Sequence, residues 1–271
     1  MVQRSVRIGV QLAPQHASYA QLRDTVAAIE DLGVDIAFNW DHFFPLSGDR
    51  DGFHFECWTM LAAWAEQTQR IEIGALVTCN SYRNPELLAD MARTVDHISA
   101  RGGDVGRLVF GIGSGWFDRD YTEYGYHFGT AGERLNHLSA AMPRIAARWE
   151  KLNPAPTRRI PVLIGGGGEK KTLRIVAQHA DIWHSFSDVR ALEHKLGVLR
   201  SWCEKAGRDL ADIEISTGVR RTHDGSVGDL GTAEAQYALG ARLFVLGISA
   251  PDLDLRQVRE LVAWRDRMNG A

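Results

Sequence analysis

IPVLIGGGGEKKTLRIVAQHADIWHSF, residues 160–186, reads as a strand, a loop, a helix and a second strand. Ile160–Ile164 is a short β-branched apolar run, and Gly165–Gly168 break it. A helical pattern begins at Glu169, and Asp181–Phe186 is apolar and strand-like again. Strands alternating with helices pair in parallel and cross over with a right-handed turn.

The same phrase recurs on both sides. Arg7–Ala13 precedes a helix that starts at Ser18, carries Leu22, Val26 and Ile29 on one face and stops at Gly33. Asp35–Trp40 precedes a helix near Glu56–Thr68. Ile71–Cys79 leads to Asn84-Pro85, a cap with proline at the first helical position, and a helix bearing Leu88, Met91, Val95 and Ile98. Arg107–Ile112 is followed by a long polar-aromatic loop and a helix over Glu133–Trp149. Downstream lie a helix over Asp188–Ala206, the strand Ile213–Thr217 and an Ala-rich helix over Thr232–Leu239. Leu243–Ile248 and a helix with Leu255, Val258, Val262 and Trp264 close the series. Eight units in 271 residues, about 34 residues each, suit an open doubly wound sheet or a closed barrel. The count favours the α/β class as a (β/α)8 TIM barrel, one domain over residues 1–271.

Charge and composition exclude several classes of function. With 31 Lys+Arg against 34 Asp+Glu the net charge is −3, without the clustered cations that nucleic acid demands. No apolar run reaches the ~18–20 residues that span a bilayer, and MVQRSVRIGVQLAP is too short and too alternating for a signal peptide. Cys57, Cys79 and Cys203 form neither a disulfide framework nor a CxxC site, so a cytoplasmic location is expected. Ten histidines occur without HxH or HExxH, and no metal site is expected.

A barrel of this kind carries its chemistry where strands end. The glycine run Gly165–Gly168 lies between a strand and a helix, where backbone N–H groups can close around a phosphate and Lys170 or Lys171 can add charge. It is neither GxxxxGK[ST] nor GxGxxG with its acid, and a turn chosen for tight packing is the alternative. Asp41-His42 is a polar pair among aromatics, and His42 suits general acid–base work; bracing a loop carbonyl is its alternative. Gly111–Gly115 loosely matches GxSxG, yet an aromatic loop follows instead of a helix. Trp40, Phe43, Phe44, Trp116, Phe117, Tyr121, Tyr124, Tyr126 and Trp183 near strand ends can floor a pocket for a flat ring, and single members of the set can equally be core.

As an ordered set, WDHF at Trp40–Phe43, GALVTCNSYRNPELLADMARTVDHIS at Gly74–Ser99, LVFGIGSGWF at Leu108–Phe117, EYGYHFGTAGERL at Glu123–Leu135 and PVLIGGGGEKKTLRIVAQHADIW at Pro161–Trp183 resemble the luciferase-like monooxygenase superfamily. The likeness is strongest to its branch that uses the deazaflavin coenzyme F420. The resemblance implies a TIM barrel that binds FMN or F420 in its mouth, with phosphate at Gly165, Gly166, Gly167 and Gly168. It implies that the ring rests on a non-proline cis peptide at Cys79-Asn80, that Asp41 contacts the deazaflavin head, and that Ser114 and Gly115 form a second edge. His42 matches the proton donor and acceptor. In the sugar-phosphate dehydrogenase branch acids stand where this chain has Gln11 and Trp116, which argues against sugar-phosphate oxidation by that scheme. The short stretch past strand seven implies an open pocket.

The expected function is therefore an F420-dependent oxidoreductase acting on a small organic substrate, and the resemblance implies a homodimer. The alternatives are an FMN-dependent monooxygenase and a coenzyme-binding barrel without turnover. An aldolase or isomerase barrel would place its phosphate after strands seven and eight and often needs a strand-end lysine, which is not found.

Overall fold

The computed structural model describes residues 4–219 and 230–270. Its strands are β1 (Arg7–Leu12), β2 (Ile36–Asn39), β3 (Glu72–Ala75), β4 (Thr78–Cys79), β5 (Leu108–Gly113), β6 (Val162–Gly165), β7 (Ile182–Ser185), β8 (Glu214–Val219) and β9 (Ala241–Ile248). All pairings between these strands are parallel, β1 lies against both β2 and β9, and β3 and β4 both pair with β5. β3 and β4 are two halves of one stave, so the sheet closes as the expected eight-stave barrel. The helices are α1 (Tyr19–Asp31), α2 (Cys57–Gln67), α3 (Pro85–Ala100), α4 (Asp118–Tyr124), α5 (Ala131–Trp149), α6 (Thr172–His179), α7 (Val189–Ala206), α8 (Leu230–Ala238) and α9 (Arg256–Asn269).

Local chemistry explains the element ends. Ser18 and Gln21 form a capping box at α1, and Thr130 and Glu133 form one at α5. Asn84 caps α3 ahead of Pro85. The helix expected from Glu169 begins only at Thr172, because Gly168 and the residues after it continue the loop. The third strand, expected as one run over Ile71–Cys79, is interrupted between its halves by a cis peptide at Leu76-Val77.

Two cores follow from the two faces of each strand. Outward residues such as Ile8, Val10, Phe110, Ile164, Trp183 and Phe244 meet the helix faces, including Leu22, Val26 and Ile29. Inward residues Ile36, Phe38, Val109, Leu163, Ile182, Leu243 and Val245 fill the barrel. The N-terminal end is plugged by Arg7, which bonds Glu214 (2.8 Å) and Glu72 (2.6 Å), with Arg158 adding a bond to Glu72 at 3.0 Å. The C-terminal end has glycines where a plug would stand, and a cavity opens there.

Candidate active site

The cavity holds about 360 Å3 at the C-terminal ends of the strands. Seven of the residues singled out by sequence line it together: Asp41, His42, Cys79, Ser114, Gly115, Gly165 and Gly166. Asn80, Gly167 and Gly168 do not. The cis peptide is the correction: it joins Leu76 to Val77, three residues before the expected Cys79-Asn80 bond. Gln11 reaches across from β1 and donates from Nε2 to the Leu76 carbonyl at 2.7 Å, so that carbonyl is held inside the barrel. Val77 then packs its methyls between two strand ends, where a Cβ on Gly113 or Gly165 would come within 2.7 or 3.0 Å of them. Glycine at both positions is a condition of this shelf.

Asp41 is buried and fully engaged, which differs from a carboxylate presented to a ring. Its Oδ2 accepts from Cys79 N at 2.9 Å and from Arg83 at 2.6 Å, and its Oδ1 accepts from Arg83 at 3.1 Å. Arg83 also donates to Glu56 at 2.7 Å. Burial pushes the Asp41 carboxyl above the ordinary carboxylate range against the pull of Arg83. Asp41 thus ties the end of β2 to the start of the turn after β4. Beside it, burial raises the Cys79 thiol to about 11, so it stays protonated, and its Sγ lies 3.2 Å from the Tyr121 hydroxyl. Gly115 sits at φ +79°, and a Cβ there would fall on that hydroxyl and 2.6 Å from Cys79 Sγ.

His42 is held by a residue the sequence did not single out. Its Nδ1 is 2.7 Å from Oδ2 of Asp120, the third residue of α4, which is completely buried. Asp120 also accepts from the Tyr82 hydroxyl (2.9 Å) and from Phe43 N (3.0 Å). A buried carboxylate with those donors around it orients the imidazole, which lines the cavity. Trp116 and Phe117 stand edge-on to His42 at 5.6 and 5.5 Å between ring centroids, and Trp40 at 6.2 Å. His54 accepts from Trp40 Nε1 at 3.1 Å, and burial with the nearby His42 pushes its pKa down to about 4.

The glycine loop turns at Gly166, φ +116°, whose N–H donates to the His184 carbonyl at 3.0 Å while its own carbonyl accepts from Trp183 Nε1 at 2.8 Å. Lys171, expected to supply charge, instead bonds Asn136 at 2.8 Å and the Gly132 carbonyl at 3.2 Å on α5. Lys195 of α7 takes that place. Its Nζ lies where a Cβ on Gly167 would run into it, and among the described residues it has no ion pair. His184, a strand-end residue to which the sequence assigns no role, lines the cavity with 2% exposure. Among the described residues no cluster of three or more His, Cys, Asp and Glu is gathered as for a metal.

Fold and site together define a barrel enzyme with a ring-sized mouth, a strand-end glycine loop and an oriented histidine. The sequence pattern of the luciferase-like monooxygenases matches residues 4–222, and the chain belongs to that family. An F420-dependent glucose-6-phosphate dehydrogenase of Amycolatopsis mediterranei is 23% identical over 245 residues, covering 81% of this chain and 70% of that protein. A putative coenzyme F420-dependent oxidoreductase of Mycobacterium tuberculosis is 29% identical over 255 residues, covering 79% and 66%. Among solved structures, an F420-dependent secondary alcohol dehydrogenase in complex with an F420-acetone adduct superposes with a TM-score of 0.81 at 16% identity, over 95% of this chain and 98% of that one.

Proposed function

We propose that the protein is an F420-dependent oxidoreductase that passes a hydride between the deazaflavin and a small organic substrate. The observation that carries this reading is the His42–Asp120 pair, 2.7 Å apart, at a cavity floored by Val77 between Gly113 and Gly165. The relatives named for F420 support the choice of coenzyme. The residues present fit a flat ring: the shelf is apolar, a Cβ at its edges would press on the Val77 methyls, and His184 Nε2 is buried without a partner among the described residues. The glycine loop with Lys195 would hold the coenzyme's phosphate, and Cys79, Ser114 and Gly115 would border its head. Asp41, Arg83 and Asn80 would support the turn beneath.

When bound, the deazaflavin supplies a ring carbon that gives or takes a hydride. His42 gives a proton to, or removes one from, the substrate atom that gains or loses charge as hydride moves. Asp120 fixes the imidazole by its Nδ1, so the working proton sits at Nε2, and it stabilises the imidazolium when that forms. Trp40, Trp116 and Phe117 pack edge-on around the imidazole and limit the orientations open to it. Nothing in this scheme needs oxygen. A homodimer belongs to the same proposal on the strength of the family resemblance, and a cytoplasmic location on the three free cysteines.

The test is anaerobic turnover. Purified protein with reduced F420 and a panel of small ketones and activated alkenes should regenerate the oxidised deazaflavin with oxygen excluded. Turnover seen solely with reduced FMN and oxygen would make the protein an FMN-dependent monooxygenase, and coenzyme binding with no turnover on any substrate would favour a binding barrel.

A further inference from the structure

His184 is placed in the barrel with one side of its ring accounted for and the other not. It lies on β7 between Gly165 of β6 and Ser216 of β8. Trp183 before it faces the helices and Ile182 fills the barrel, so the alternation of the strand turns His184 inward, one layer above Ile182. Its Nδ1 is 2.8 Å from Ser216 Oγ. Its Nε2 is buried and has no hydrogen-bond partner among the described residues. Gly165 keeps the space beside the ring free of a side chain. The exposed Phe186 stands edge-on against the imidazole at 4.7 Å between centroids, covering it from the rim.

Hydrogen-bond accounting assigns the proton. Ser216 is completely buried, and His184 Nδ1 is the partner found for its hydroxyl among the described residues. A buried hydroxyl proton goes to an available acceptor, and Nδ1 is the one within reach. Nδ1 is then the lone-pair nitrogen and Nε2 carries the hydrogen. Burial alone, with no charged neighbour contributing, pushes the pKa of this imidazole down to about 3, so it stays neutral across the physiological range. The result is a neutral N–H donor, fixed by its strand, at the wall of the cavity and without an acceptor among the described residues. Buried polar groups are otherwise nearly always paired, and an exception in a ligand cavity points to a partner that arrives with the ligand.

We infer that His184 is a positioning residue that donates its Nε2–H to an uncharged acceptor atom, a carbonyl oxygen or an sp2 nitrogen, of the coenzyme seated in the barrel mouth. The identity of that coenzyme as F420 rests on the function proposed above; the donor role does not. The coenzyme rather than the substrate is the acceptor because His184 is the deeper group. It is 2% exposed, whereas the side chain of His42 is 11% exposed, and the molecule that seats first covers the floor.

The experiment is a fluorescence titration of wild type, His184→Ala and His184→Gln with F420 and with FMN, substrate absent, together with 15N NMR of the histidine ring nitrogens in the coenzyme-free protein. The Ala variant should bind F420 at least tenfold more weakly, with Gln, whose amide keeps a donor, recovering most of the loss. The Ala variant leaves the buried Ser216 hydroxyl without its acceptor and should melt a few degrees lower while staying folded, and in the wild type the His184 signal should report the Nε2–H tautomer and shift on coenzyme addition. Equal affinity in wild type and Ala overturns the inference, as does an Nδ1–H tautomer or an equal loss in Ala and Gln. If wild type binds FMN but not F420, the F420 reading fails while the His184 comparison is read with FMN; binding of neither ends both.

Discussion

Replacing Asp120 by Asn tests the proton-handling scheme at its least exposed member. Every contact the carboxylate makes is as an acceptor: from His42 Nδ1 at 2.7 Å, the Tyr82 hydroxyl at 2.9 Å and Phe43 N at 3.0 Å. An amide has one acceptor oxygen and one NH2 group, so it cannot serve them all. If the oxygen faces Phe43 N, the NH2 points at Nδ1 and forces the imidazole proton onto Nε2. If the oxygen faces His42, a buried donor at Phe43 is left unpaired. Either outcome costs about 1–3 kcal/mol of stability, and a 2 kcal/mol loss lowers Tm by roughly 4–8 °C in a chain of this size. The catalytic cost is larger, because a placed acid–base group is worth about 10²–10⁴ in rate and the wrong tautomer forfeits most of it. We expect Asp120→Asn to lower kcat by about 10² or more while leaving the F420 dissociation constant within about threefold. The decisive assay is a double-mutant cycle with His42→Ala. Once the imidazole is gone Asp120 has nothing left to orient, so the double variant should be no slower than His42→Ala alone. Independent, multiplying losses, or wild-type turnover by Asp120→Asn, would refute the coupling.

Two further outcomes follow from the geometry. Gly167→Val pushes a side chain into Lys195, and Lys195→Ala removes the cation beside the loop. Each should weaken F420 about tenfold at low salt, with the Lys195 effect fading as salt rises, and neither should change affinity for a phosphate-free deazaflavin; equal losses for both ligands would place the loop outside the phosphate site. The acid side of the stability curve tests the burial of His184. The unfolded chain takes up a proton on this imidazole near its ordinary 6.5, whereas the folded protein resists down to about 3. Its contribution to stability is therefore complete above that ordinary value and is lost as pH falls through the window, at up to about 1.4 kcal/mol per pH unit. His184→Gln should flatten the denaturant-derived stability slope between roughly pH 4 and 6 by that amount, and an unchanged slope would mean that the imidazole is not kept neutral.

Much of this was legible in the chain because the periodicity is regular. The alternation of β-branched runs with helix-spaced apolar residues sets out the staves, and Leu22, Val26 and Ile29 are buried as their spacing requires. Strand ends are equally readable, which is why Asp41, His42, Ser114 and Gly165 come to one cavity. The rest depends on contacts between distant segments. Asp120 lies 78 residues from His42 inside a stretch read as a loop, and nothing local marks it as a partner. Lys171 is next to the glycines in sequence, yet Asn136 draws its ammonium away to α5, while Lys195 comes back over the loop from a helix further on. The break in the third stave is hidden by an unbroken apolar run, IEIGALVTC. Its structural reason lies on the neighbouring strand, where a Cβ on Gly111 would collide with the Ala75 carbonyl. Only glycine there lets β3 end against β5 and re-enter as β4.

The proposed function requires the barrel mouth to take a deazaflavin in preference to a flavin. Parallel fluorescence titrations of the coenzyme-free protein with F420 and FMN, in the same buffer and at the same stated salt concentration, test it most directly. Saturable F420 binding at least tenfold tighter than FMN, about 1.4 kcal/mol, is expected; micromolar FMN binding with no detectable F420 binding would contradict the proposed function.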